Sequence, residues 1–137
     1  MGLLEHITED GIAVLVDRFY AKVRRDPMIG PLFNATIEDW DAHLATLRAF
    51  WSSVMLTSGR YKGSTMAAHM KLPIQPEFFT RWLELWRETT NELFVPAVAE
   101  QFCLKANRIA ESLKLGLYFR PGAPQRDSGA ASAPGRT

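Results

Sequence analysis

His69 closes a short helical pattern, three residues before Leu72-Pro73, and a helix rich in Phe78, Phe79, Trp82 and Trp86 follows it. A proline disfavours the helical conformation of the residue before it, so the His69 imidazole is predicted to sit in a last helical turn. One rigid histidine beside a broad aromatic wall suits a flat metallocofactor such as haem. Each part also has a plainer explanation. A histidine in an apolar segment is commonly a boundary residue with a satisfied hydrogen bond, and aromatics at helical spacing are commonly core.

Two further side chains fall where a plain core would not want them. Tyr20 lies on the apolar face of the first predicted helix, and an unpaired buried hydroxyl costs about 1–3 kcal/mol. His43 falls mid-stripe among Trp40, Leu44, Leu47, Phe50, Trp51 and Val54, with no acidic partner on its own face. Taken singly, a tyrosine reaching solvent and a boundary histidine explain both.

Other chemistries find little support. The chain has no Gly-x-Ser-x-Gly, no phosphate-cradling glycine loop and no histidine–carboxylate spacing of the metalloprotease kind. The single cysteine, Cys103, lies on an apolar stripe and reads as an inert buried thiol. A bare zinc or iron site wants more histidines and carboxylates than His43 and His69 provide. A net charge of +1 gives no electrostatic case for nucleic acid or an anionic membrane. No apolar run approaches a membrane span, and Glu5, Glu9 and Asp10 argue against a signal peptide. A soluble, cytoplasmic protein is the expectation.

The elements that must carry these side chains are all helical. Thr8 caps a helix with apolar positions Ile12, Leu15, Val16, Phe19, Tyr20 and Val23, and Asp26-Pro27 stops it. The run PMIGPLFN (27–34) is predicted to be a turn, although Met28, Ile29, Leu32 and Phe33 make it unusually apolar. Thr36-Ile37-Glu38-Asp39 resembles a capping box opening the next helix. Pro76 and Pro96 each suit a first helical position, and the last helix presents Val98, Phe102, Ala106, Ile109, Leu113 and Leu117. No strand alternation is visible, so the fold class is all-α. Residues 1–120 form the predicted domain. In residues 121–137, 12 of 17 are Gly, Ala, Pro or Ser, which predicts a disordered tail.

Several runs resemble the truncated haemoglobins, and their third group most. They are FYAKVRRDPMIGPLFN from Phe19, WDAHLATLRAFW from Trp40, YKGSTMAAHMKLPI from Tyr61 and FFTRWLELW from Phe78. The likeness spans residues 7–117. The glycine-rich connections typical of the other two groups are missing, in keeping with the third. The resemblance implies a globin-like two-over-two helical sandwich around haem b.

Carried over residue by residue, the resemblance makes His69 the proximal iron ligand. Tyr20, His43 and Trp82 become the distal residues around a bound diatomic ligand: oxygen, nitric oxide or carbon monoxide. Phe33, Leu47, Tyr61, Lys71, Leu72, Phe79 and Trp82 become the cofactor-binding set. Arg60, Tyr61, Lys62 and Lys71 are suggested as propionate partners on sequence proximity alone. An oxygen ligand in such a pocket draws negative charge, and a phenol, an indole and an imidazole can all donate to it. Oxygen binding is the expected function. The alternative is a redox enzyme acting on nitric oxide or peroxide with an external reductase.

Overall fold

The structure, a computed structural model, describes residues 2–64, 69 and 72–118. It is built of α1 (Glu9–Arg25), α2 (Gly30–Thr36), α3 (Trp40–Leu56), α4 (Pro76–Leu93) and α5 (Pro96–Tyr118). Among the described residues there is no strand, only an isolated bridge between Leu4 and Phe94 that ties the N-terminal segment to the α4–α5 junction. No helix among them is long and apolar enough to cross a membrane. Lys71 and the proposed disordered tail, residues 121–137, lie outside the described residues, as do the neighbours of His69 on either side.

Helix limits follow local chemistry. Thr8 Oγ1 accepts from the Gly11 amide at 3.0 Å and opens α1, and Glu9 and Asp10 complement its dipole. Pro76 and Pro96 begin α4 and α5, where no intrahelical donor is required of them.

Two expectations are corrected here. The 27–34 run is not simply a turn, because most of it belongs to the short helix α2. The Asp26 carboxylate accepts from the Met28 and Ile29 amides and holds the turn ahead of α2, which has no side-chain cap of its own. Gly30 then passes so close to α1 that a Cβ would stand 2.9 Å from the Val23 and Arg24 carbonyl oxygens. The predicted capping box also shifts. Thr36 ends α2, and Asp39 caps α3 by accepting from the Ala42 amide at 3.0 Å.

Side-chain pairs give the helix directions. Between α1 and α3, Tyr20 meets His43, Asp17 meets Arg48 and Glu9 meets Ser52, so the two helices run antiparallel. Between α4 and α5, Phe94 meets Phe102 and Phe79 meets Tyr118, again antiparallel. Arg18–Glu92, Lys22–Glu88 and Asp26–Arg81 lay α1 against α4 in the same sense. Two antiparallel pairs stacked on each other form the two-over-two globin sandwich.

The centre of the sandwich is aromatic. Trp86 stacks on Trp51 at 4.4 Å and meets Phe19 edge-on at 4.8 Å, and all three rings are buried. Trp86 therefore belongs to the core and not to the wall facing His69, although it shares a helical face with Trp82.

Candidate functional site

Towards one end of the sandwich the packing opens into a cavity of about 340 Å³, within the range of ligand and cofactor sites. Every helix contributes to it. Tyr20 comes from α1, Leu32 and Phe33 from α2, His43, Leu47 and Phe50 from α3, Phe78, Phe79 and Trp82 from α4, and Ile109 and Leu113 from α5. His69, Leu72 and Tyr61 complete the lining. Of the iron-ligand, distal and cofactor-binding residues expected from sequence, all but Lys71 are described and border this one space, whereas Arg60, Lys62 and Trp86 do not.

The α3 stripe shows the cost of facing it. Leu47 and Phe50, which line it, are only half-buried, while Trp51, which borders it from the core side, is fully buried. Apolar side chains at helical spacing that remain half-buried are short of a partner. Sequence pattern did not single out Ile29, Phe50, Ile109 or Leu113 as lining. Their only signal was membership of an apolar stripe, which core residues share.

Polar groups gather at one part of the lining. Tyr20 is 4% exposed, and burial pushes its phenol up to about 12, partly offset by a side-chain hydrogen bond with Trp82. An indole N–H can only donate, so Trp82 donates and the phenol oxygen accepts. The hydroxyl proton then has no acceptor among the described residues. His43 packs edge-on to Tyr20 at 6.1 Å and to Trp40 at 5.5 Å. Burial, and secondarily the charge of nearby His69, hold its imidazole below the ordinary value, which favours the neutral ring. Trp40 lies outside the lining and carries the Arg24 guanidinium over its face at 4.5 Å.

His69 is itself helical and half-buried, and its carbonyl accepts from the Leu72 amide at 3.2 Å. Tyr61 is held by its amide, which donates to Ser53 Oγ at 2.8 Å, and by edge-on contact with Phe50 at 5.2 Å. Arg60 is engaged elsewhere. Its guanidinium donates to Glu9 at 2.6 Å, and Glu9 also accepts from the buried Ser52 hydroxyl. Lys62 is exposed at a shallow groove that Arg60 and Tyr61 also border.

No family model matches the chain. It is 36% identical over 119 residues to the group 3 truncated hemoglobin ctb of Campylobacter jejuni, covering 83% of this chain and 94% of that protein. The crystal structure of the group III truncated hemoglobin from Campylobacter jejuni is similar to 89% of this chain and all of that one, with a TM-score of 0.82 at 34% identity. The chain is a group 3 truncated haemoglobin.

A truncated haemoglobin is a globin, and the family implies haem as its prosthetic group. The residues present fit that group. Side chains from all five helices, most of them apolar and several only half-buried, surround one cavity, and His69 borders it. A buried phenol in the same lining has a proton without a protein acceptor among the described residues. Among those residues no cluster of three or more His, Cys, Asp or Glu offers an alternative metal site.

Proposed function

We propose that this truncated haemoglobin holds haem b through His69 and binds oxygen, and also nitric oxide and carbon monoxide, at a distal site formed by Tyr20, Trp82 and His43. Phe33, Leu47, Tyr61, Leu72, Phe79 and Trp82 would pack about the macrocycle, with Tyr61, Lys62 and Lys71 the candidates left for its carboxylates. When bound, haem supplies a ferrous iron that takes up a diatomic ligand and transfers partial negative charge to it.

The observation that carries this proposal is the state of Tyr20. Its phenol stays neutral at any physiological pH, since its pKa is about 12. Trp82 occupies the phenol oxygen, which leaves the hydroxyl proton for a ligand inside the cavity. A donor fixed before the ligand arrives, in a site with little water, needs no reorganisation to meet developing charge. His43, neutral and at the outer edge, offers a second donor or excludes water.

The test is a pair of dissociation rates. Tyr20→Phe keeps the ring and removes the donor, and a hydrogen bond to a charged partner is worth about 1.5–3 kcal/mol. Oxygen release should quicken by roughly ten- to a hundredfold. Carbon monoxide release should change far less, because that ligand carries little charge. Equal changes for both gases would indicate a wider pocket and would remove the electrostatic role of Tyr20.

A further inference from the structure

Asp26 ends α1, six residues after Tyr20, and its side chain is only 3% exposed. A buried carboxylate is costly unless its oxygens are engaged, and here both are. One oxygen accepts from the Met28 and Ile29 amides, each at 3.0 Å, and the other from Arg81 Nε at 2.8 Å. The Asp26 backbone oxygen accepts in addition from the Gly30 amide at 2.9 Å. A single residue thus joins the end of α1, the turn that delivers Ile29 and Phe33 to the cavity, and helix α4. Arg81 is the residue before Trp82, and Glu84 holds its guanidinium from the far side at 3.0 Å.

The other ion pairs between α1 and α4 are different in kind. Arg18–Glu92 spans 3.8 Å with both side chains more than two-fifths exposed. Lys22 reaches the exposed carboxylates of Glu88 and Glu92. Exposed pairs of that sort contribute little. Asp26–Arg81 has the one fully buried partner, and it stands at the cavity end of the interface. Holding the turn takes only one of the Asp26 oxygens, so the Arg81 contact on the other serves something besides the turn.

We propose that Asp26 and Arg81 are positioning residues that fix α4 against α1 so that the Trp82 indole is kept beside the Tyr20 phenol in the cavity lining. This rests on the distal role of Tyr20 proposed above. Tyr20 and Trp82 come from different helices, and hydrogen bonds weaken steeply with misalignment. The hydrophobic contacts of the interface tolerate a small slide of one helix along the other, whereas a carboxylate gripping two amides and a guanidinium does not. Arg81 touches neither the cavity nor a ligand, and acts through Trp82 and Tyr20.

The test compares haem-loaded full-length wild type, Arg81→Gln, Tyr20→Phe and the double variant. Oxygen and carbon monoxide dissociation and the infrared stretch of the carbonyl adduct are measured on each. Arg81→Gln should quicken oxygen release by roughly two- to tenfold, the range for residues that act on a site without touching it. Its carbonyl band should move towards that of Tyr20→Phe. In the Tyr20→Phe background the same change should add almost nothing, whereas a general loosening of the fold would add its full effect. If Arg81→Gln does not fold, Arg81→Lys, which keeps the charge and loses the Nε contact, is read in the same way. The positioning role is overturned if oxygen release and the carbonyl band stay at wild type while Tyr20→Phe moves both. It is also overturned if the two effects simply add. Should Tyr20→Phe itself move neither, the distal role and the positioning role fall together.

Discussion

The α1–α4 interface has two ends made from nearly the same residue types. At the core end Phe19 meets Trp86 at 4.8 Å, Trp86 stacks on Trp51, and the indole N–H donates to the Phe102 carbonyl at 3.2 Å. Every ring there is buried and the polar atom of Trp86 is satisfied. One residue along α1 and one turn back along α4, Tyr20 and Trp82 both border the cavity. Trp82 is nearly parallel to Trp86 at 5.9 Å, yet it is half-buried and its indole reaches a phenol rather than a carbonyl. The lesson is that the cavity is constructed and not merely badly packed. The same pair of helices packs to full density over one turn and holds a polar opening over the next.

The largest effect that separates the two ends should come from His69→Ala. Loss of the imidazole should abolish stable haem retention, read as a Soret band that disappears on desalting, while added imidazole partly restores it. A variant that keeps its ferrous spectrum unchanged would move the iron ligand elsewhere, with His43 the next to test. Trp86→Ala should do the reverse. It removes a fully buried ring and should cost about 3–5 kcal/mol of folding stability, measured by urea denaturation. The protein that remains folded should still show its Soret band. If Trp86→Ala loses haem at no cost in stability, the division between core end and cavity end is wrong.

The smallest effect concerns Asp26, which joins the two functions. Burial raises its pKa, but the Ile29 and Met28 amides and the Arg81 guanidinium outweigh that and hold the carboxyl below its ordinary value. A carboxyl depressed in the folded state contributes stability that is complete above the unfolded pKa and is lost as pH falls through the folded one. The contribution should therefore be intact at neutral pH and begin to fade near the ordinary value of 3.8. Asp26→Asn should lose about 1–3 kcal/mol at neutral pH. Its urea midpoint should approach that of wild type in strong acid, and parallel curves across that range would exclude the linkage.

Much of this was legible before any coordinates. Thr8, Pro76 and Pro96 mark helix starts through backbone chemistry that is local, so they appear where the sequence places them. His69, Tyr20 and His43 were each suspect as polar groups in apolar surroundings, Trp82 stood in the aromatic wall, and all four border the cavity. Their roles were suggested by the family resemblance, since no single stripe shows that three polar side chains converge.

What lay beyond the sequence is what depends on partners from elsewhere in the chain. Trp82 and Trp86 are one turn apart on the same helical face, and periodicity cannot tell them apart. Trp51 and Phe102 pack against one, whereas the other borders the cavity. Asp26 reads as a helix stop, and nothing near it in sequence points to Arg81; only folding sets them 2.8 Å apart across 55 residues. Arg60 likewise looked available beside the site until Glu9, from the start of α1, engaged it. Local sequence determined where helices begin and which faces are apolar, because those follow from hydrogen bonds and spacing within a few residues. Which apolar face became core, which became cavity and which charges were engaged was decided by tertiary structure, because each depends on distances between helices that no local pattern encodes.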